Sequence, residues 1–436
     1  MMTISNFITM QNKKRISINS LWLIVEKTIS IFGLFIVSTV VAKYIGPEMI
    51  GVIALAVTSF QIVQVIAQFG SENIIIRRLS KNLHSGIVLA IISTKIRAII
   101  FIFVSLPVLW LSYKSSYVEF VFFSAVAIAS FFTTIDLIAT YNDTILNSWI
   151  NAIFNLVGLL IALIFRYIIV ELHLNVLLLT FPIIITTMLP FTFRIFYFHK
   201  RNKEKLTRLK NTSFHLKYLL LTGSSMLIAN TLSVVYPRIN IFFLSYLSDV
   251  NTLGIYSVAV TLATSWNFIL LAVVTSYFPV IYNEKNEHLA ILKTARLNVL
   301  ILLVSLCAIT GFALVGKYAI GILYGPAFAQ VWLPGIILCA GTMLSTLGTV
   351  SSRFILKYSG YRYLTYKSLI NIIFCIPVSW CFIHFWGLVG AAYSVVCMEL
   401  ISLTLLNYGF KRGVVMMMHL RLFSWIIVCI CRRHGT

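Results

Sequence analysis

Residues 297–315 read LNVLILLVSLCAITGFALV, nineteen positions with no charge and only Asn298, Ser305 and Thr310 to offer a polar side chain. At 1.5 Å per residue such a run is about as long as the ~30 Å hydrocarbon layer of a bilayer is thick, so it reads as a membrane-crossing helix. The rest of the chain repeats the pattern. Of its 436 residues 60% are hydrophobic and 11% charged, against roughly 45–50% apolar and about 25% charged in soluble domains. That excludes a water-soluble enzyme or binding module. Further apolar segments fall at 18–41, 50–69, 94–112, 118–137, 148–168, 174–195, 218–241, 253–278, 329–350, 366–385 and 388–410, which with 297–315 make twelve expected spans.

The formal charge of +22 would suggest nucleic acid as partner in a soluble chain. Here it distributes by topology instead. With the N-terminus inside, 28 of the 34 Lys and Arg fall on inner segments, four (Lys43, Lys114, Arg166, Lys317) on outer loops, and Lys27 and Arg238 within spans. The positive-inside rule then places both termini in the cytoplasm, with no nucleic-acid partner. The inner loop 138–147 carries no basic residue and is the weakest part of that assignment. Near the N-terminus, Lys13, Lys14 and Arg15 precede a run that is too long for a signal peptide and lacks a small-residue cleavage site, so it is expected to stay as the first span.

The longest polar stretch, 196–217, sits at the midpoint and suggests an internal repeat. Val40-Val41-Ala42-Lys43-Tyr44 leads to Gly51-Val52-Ile53-Ala54-Leu55-Ala56, and Phe243-Leu244-Ser245-Tyr246 leads likewise to Gly254-Ile255-Tyr256-Ser257-Val258-Ala259, an offset of 203 residues. The expected organisation is a cytoplasmic N-terminus (1–17), a six-helix half (18–195), a basic linker (196–217), a second six-helix half (218–410) related to the first by an axis along the membrane normal, and a cytoplasmic tail (411–436). In that tail Leu422–Cys431, ten residues flanked by Arg421, Arg432 and Arg433, is too short to span and reads as an interfacial helix.

Charges inside spans are costly and mark function by default. Lys27 lies on a stripe with Ser20, Ser30 and Ser38, and Arg238 stacks with Thr231 and Ser224 beside Pro237. Either would suit an anionic ligand in a cavity, or an internal salt bridge. Two amide stripes, Thr58, Gln61, Gln64 and Gln68 on span two and Asn147, Asn151 and Asn155 on span five, each form one polar helix face suited to sugar hydroxyls or to gluing helices together. Glu26, Asp136 and Glu399 are carboxyls that could couple transport to an ion gradient or simply be hydrogen-bonded within the bundle.

Other signals carry no chemistry. The seven cysteines have neither disulfide nor zinc spacing, and the eight histidines are scattered without ligand spacing. Gly311 to Tyr318 approaches a phosphate-binding loop but has Tyr318 where Ser or Thr is required and follows no strand. No cofactor, metal or catalytic residue is expected.

The block Val41-Ala42-Lys43-Tyr44-Ile45-Gly46-Pro47-Glu48-Met49-Ile50-Gly51, with Gln68-Phe69-Gly70 and Arg77-Arg78-Leu79 after it, resembles the opening of bacterial polysaccharide-repeat flippases of the O-antigen and capsule type. Leu253 to Ala259, Leu323-Tyr324-Gly325-Pro326-Ala327-Phe328 and Gly387-Leu388-Val389-Gly390-Ala391-Ala392-Tyr393 extend the likeness over residues 16–410. That family is similar in fold to MATE multidrug exporters and lipid II flippases. The resemblance implies a MATE-like all-α membrane fold in the inner membrane and alternating-access transfer of an undecaprenyl-diphosphate-linked glycan to the outer leaflet. Its implied partners are membrane lipids, the polysaccharide polymerase and the chain-length machinery. Two departures stand out: many relatives have Arg-Ile-Asp where this chain has Arg238-Ile239-Asn240, and the two further C-terminal helices usual in lipid II flippases are not found here. The alternatives are a MATE-type exporter of small cations and a polytopic glycan polymerase. The polymerase would need an outer catalytic platform, which short outer loops holding only Glu48, Glu119, Glu171 and Asp249 do not supply.

Overall fold

The computed structural model describes residues 4–201 and 212–420. Everything regular in them is helical, in the order α1 (Ile4–Gln68), α2 (Ser71–Lys81), α3 (Leu83–Ser115), α4 (Tyr117–Ile135), α5 (Leu137–Thr144), α6 (Ser148–Glu171), α7 (Thr180–Arg201), α8 (Thr212–Val235), α9 (Ile239–Leu247), α10 (Val250–Thr264), α11 (Asn267–Tyr282), α12 (Glu287–Leu323), α13 (Trp332–Lys357), α14 (Tyr361–Leu403) and α15 (Leu405–Tyr408). Among the described residues nine helical stretches are long and apolar enough to cross a membrane, so the chain is a multi-pass membrane protein. Two of them are broken, α1 at Gly46 and α14 at Gly387, where the backbone turns to positive φ. The expected interfacial helix at 422–431 and the core of the basic linker lie outside the described residues.

In lipid only helices satisfy every backbone group within the segment, which is why apolar sequence becomes helix here. The outer faces show the solvent they were selected for. On α3, Ile99, Phe103, Leu106 and Trp110 recur at three- and four-residue spacing and are all more than half exposed, a stripe fit for lipid tails. By contrast α2 is amphipathic: Ser71, Ile74, Ile75 and Leu79 are buried on one face while Arg77, Arg78 and Lys81 stand off it.

By its internal contacts the chain forms two compact units, one of Met1–Ile45 with Val52–Val234, the other of Gly46–Gly51 with Val235–Thr436. In the first, Ile74, Ile75, Leu79, Leu89, Leu137, Tyr141, Phe198 and Leu219 share one core. In the second, α11, α12 and α13 surround Leu270, Val274, Phe278, Ile301, Val350 and Phe354. The boundary falls at Val235 rather than in the basic linker, because α8 packs on the first unit: a Cβ on Gly223 would lie 2.5 Å from the Phe69 carbonyl oxygen.

The two glycines that head the sequence repeat meet in the second unit. A Cβ on Gly51 would fall 2.0 Å from the Val250 carbonyl oxygen, and one on Gly254 only 1.8 Å from that of Pro47. Neither position has room for any other residue. Segment 138–147, expected as a loop, is mostly helix α5. Asp136 leaves the helical path at ψ 76° and its carboxylate accepts the Ala139 N–H at 3.2 Å, an N-cap that starts a new helix where a continuous span was expected.

Candidate functional site

The break at Asp136 positions a polar cavity of about 340 Å³ within the first unit, lined by Glu72, Arg97, Asp136, Asp143, Asn155 and Arg194 among others. Because α5 restarts the helix one residue after Asp136, that carboxylate points across to α7. There it forms an ion pair with Arg194, both side chains being less than a tenth exposed. Arg194 Nη1 also donates to Asn155 Oδ1 at 2.7 Å, and Asn155 Nδ2 donates to Glu26 Oε1 at 3.1 Å. One file of groups, Glu26–Asn155–Arg194–Asp136, therefore joins α1, α6, α7 and the α4–α5 break. Arg194 Nε is buried and has no hydrogen-bond partner.

Arg97 is the second buried cation. Its Nε and Nη2 donate to Ser71 Oγ at 2.9 and 2.7 Å, and its Nη1 donates to the Thr134 carbonyl at 3.1 Å. Ser93 donates to the same Ser71 oxygen at 3.1 Å. These partners are neutral oxygens, and the nearest opposite charge is carried by Glu72, which lines the same cavity. The titratable lining amounts to three carboxylates (Glu72, Asp136, Asp143) against two guanidiniums (Arg97, Arg194).

The second unit holds a smaller cavity, about 180 Å³, with Tyr236, Asn240, Tyr256, Ser345, Ser394 and Glu399 on its wall. The short 3-10 turn Tyr236–Arg238, forced by Pro237, lets the Tyr236 hydroxyl face Glu399 Oε1 at 3.4 Å. Asn240 donates to the Ala391 carbonyl at 3.2 Å and accepts from Ser394 Oγ at 3.1 Å. On α14, Lys367, Asn371, Cys375 and Ser379 follow one another every fourth residue and are all buried, a polar ladder along one helix face. Lys367 donates to Asn407 Oδ1 at 2.9 Å.

The expected site residues are thus distributed over both units. Glu26, Asp136 and Asn155 come together in one network, and Glu399 lines the second cavity. Lys27 is exposed on α1, and Arg238 is half-buried on the turn whose Tyr236 and Pro237 form the cavity wall. Gln61 and Gln64 are half-buried on α1. Asn151 fits the helix-gluing alternative: it is only 4% exposed, accepts from Asn142 Nδ2 at 3.0 Å, and donates to the Ala139 carbonyl and to Asp143 Oδ1, both at 2.9 Å. With both N–H groups and one oxygen lone pair engaged, this amide ties α5 to α6. Arg97, Arg194 and Lys367, all counted among the 28 inner-segment cations, are buried cations that sequence reading did not single out.

No family model matches the sequence, and no curated protein sequence does. Solved structures do match. An inward-facing MATE-family multidrug resistance transporter of the MOP superfamily is similar at TM-score 0.67 and 14% identity, over 92% of this chain and 98% of that one. The lipid II flippase MurJ in an inward closed conformation is similar at TM-score 0.59 and 13% identity, over 95% and 92%. The Vibrio cholerae MATE transporter VcmN in its bent form gives TM-score 0.54 and 13% identity, over 93% and 99%. The chain thus shares the all-helical fold of these transporters and this flippase.

Proposed function

We propose that this chain, built on the MATE and lipid II flippase fold, is a flippase that carries an undecaprenyl-diphosphate-linked oligosaccharide from the inner to the outer leaflet of a bacterial inner membrane by alternating access. The carrying observation is the pair of polar, ion-bearing cavities inside membrane-spanning units of a transporter fold. Charges in a bilayer interior are too costly to be kept for packing alone. The substrate follows from the sequence blocks at 41–51, 253–259 and 323–328, which resemble polysaccharide-repeat flippases.

In this reading twelve spans form two halves with both termini in the cytoplasm, which labelling of single cysteines placed at 114 and 205 from outside intact cells checks: only position 114 should react. Lys27, exposed on α1, and Arg238, half-buried beside Pro237, are the cations assigned to the diphosphate. Gln61, Gln64 and Asn155 meet sugar hydroxyls. Glu26, Asp136 and Glu399 exchange a proton or cation with the gradient.

The acid excess around the first cavity favours a second reading, a MATE-type exporter of small cations. Deletion in the native host separates them. A flippase defect leaves undecaprenyl-linked single repeats trapped in the inner leaflet. An exporter defect leaves those lipids unchanged and sensitises cells to cationic compounds. A polymerase defect instead delivers single repeats to the outside.

A further inference from the structure

A second cavity in the first unit, about 290 Å³, is lined almost wholly by apolar side chains, among them Ile91, Ile135, Ile138, Phe191 and Ile195, with Lys95 as its one fixed cation. Three of the structural pieces that wall the polar cavity also wall this one. From α3 come Arg97 to the polar cavity and Ile91 and Lys95 to the apolar one. From the α4–α5 break come Asp136, Thr140 and Asp143 on one side and Ile135, Ile138 and Tyr141 on the other; from α7, Arg194 on one and Phe191 and Ile195 on the other. The restart of the helix at Asp136 therefore places a polar and an apolar space side by side.

We infer that the apolar cleft takes the hydrocarbon chain of the transported lipid, with Lys95 at its mouth pairing with the phosphate head. This rests on the flippase reading and names the part of the substrate that the first unit holds. The almost wholly apolar wall offers a sugar's hydroxyls few partners, so burying them there would leave them unpaired, whereas a length of single hydrocarbon chain loses nothing. An apolar space does not fill with water, since water there would find no polar partners, whereas hydrocarbon enters it with all its contacts kept. Lys95 is exposed, so its ammonium can meet a head group at the membrane surface while its carbon stem covers apolar wall. His199, on the same rim, lies with Nδ1 3.0 Å from the Ile195 carbonyl and so donates that proton inward; Lys95 is left as the anion's partner. The last turn of α7 adds exposed Lys200 and Arg201 beyond it.

The test uses the purified full chain in detergent, with undecaprenyl phosphate as probe and dioleoyl phosphatidylglycerol as competitor, read by native mass spectrometry. Wild type should bind the probe. Ile91→Trp and Ile138→Trp, which fill the cleft, should each abolish binding, and Ala90→Met, a smaller filling, should give the same loss where a tryptophan variant does not fold. Lys95→Ala should weaken binding about tenfold, the loss of one charge-assisted contact. Phe196→Trp, on an exposed face of α7 outside both cavities, should bind as wild type. Unchanged binding in the filled variants overturns the inference. So does displacement of the probe by an equal amount of phosphatidylglycerol, which would make the cleft a general lipid site. If deletion in the host traps repeat units while filled variants still bind, this inference fails alone; if cleft-dependent binding holds while deletion traps nothing, the flippase reading fails alone.

Discussion

Arg194→Met leaves the Asp136 carboxylate, which is only 5% exposed, without its cation. Stranding one member of a buried pair costs about 3 to 5 kcal/mol. Asn155 Oδ1 simultaneously loses its donor, while Asp136 keeps the Ala139 N–H, so the lower end of that range is expected. For a unit of some two hundred residues this is a fall in Tm on the order of 10 °C, readable as loss of helical ellipticity on heating in detergent. The informative variant is the double change Arg194→Met with Asp136→Asn, which removes both charges and keeps an oxygen to cap α5. It should recover most of the stability. Transport should remain lost if Asp136 exchanges an ion, and should return if the pair is only a brace. A single variant within about 1 kcal/mol of wild type, or a double no more stable than the single, refutes the buried-pair reasoning.

Three further outcomes are expected. Asn151→Leu leaves the Asn142 amide and the Asp143 carboxylate short of partners at a cost of about 1 to 3 kcal/mol, so surface glycan and protein abundance should fall together; loss of glycan with full abundance would return Asn151 to the substrate. Arg238→Ala should abolish surface glycan at near-normal abundance and Arg238→Lys should recover part of it, since Lys attracts phosphate but cannot grip it with a planar fork; stable Arg238→Ala protein with normal glycan contradicts the diphosphate role. Burial pushes the His419 imidazole, set between Ser351 Oγ at 3.3 Å and the Tyr408 hydroxyl at 3.2 Å, down to about 4. Between that value and the ordinary pKa near 6.5 the released segment binds a proton that the docked one does not, so docking strengthens as pH rises through the window and weakens as it falls. Amide exchange across 414–420 should therefore be better protected at pH 7.5 than at pH 5, a difference that His419→Leu removes; equal protection in the wild type contradicts this.

The membrane character was legible because runs such as 297–315 suit a bilayer interior, and among the described residues nine helical stretches are long and apolar enough to cross one, against twelve expected segments. The repeat glycines Gly51 and Gly254 stand out as a pattern in the sequence, but that they adjoin one another in the second unit is a tertiary fact. The buried cations were not legible. Arg97 and Arg194 fall at the inner ends of the expected spans 94–112 and 174–195, where a count by loop assigns them to the inner segments; α3 starts at Leu83 and α7 runs to Arg201, so both sit within helix and in the packed interior. Asp136 held a clue, since Asp followed by Leu137-Ile138-Ala139 is a helix-start pattern, but within an apolar run it reads as a lone intramembrane acid. Asn151 and Asn155 look identical in sequence, one helical turn apart; which of them braces α5 and which faces the cavity depends on where α5 lies, a tertiary fact.

Flipping can be seen directly in sealed vesicles that contain the purified protein and an undecaprenyl-diphosphate-linked oligosaccharide spread over both leaflets. A membrane-impermeant oxidant of sugar diols, added outside, consumes whatever glycan faces it. With the protein present nearly all of the glycan should be consumed, against about half in protein-free vesicles, and Arg238→Ala should return the figure to half. Consumption that stops at half with correctly folded wild-type protein in the membrane would contradict the flippase reading.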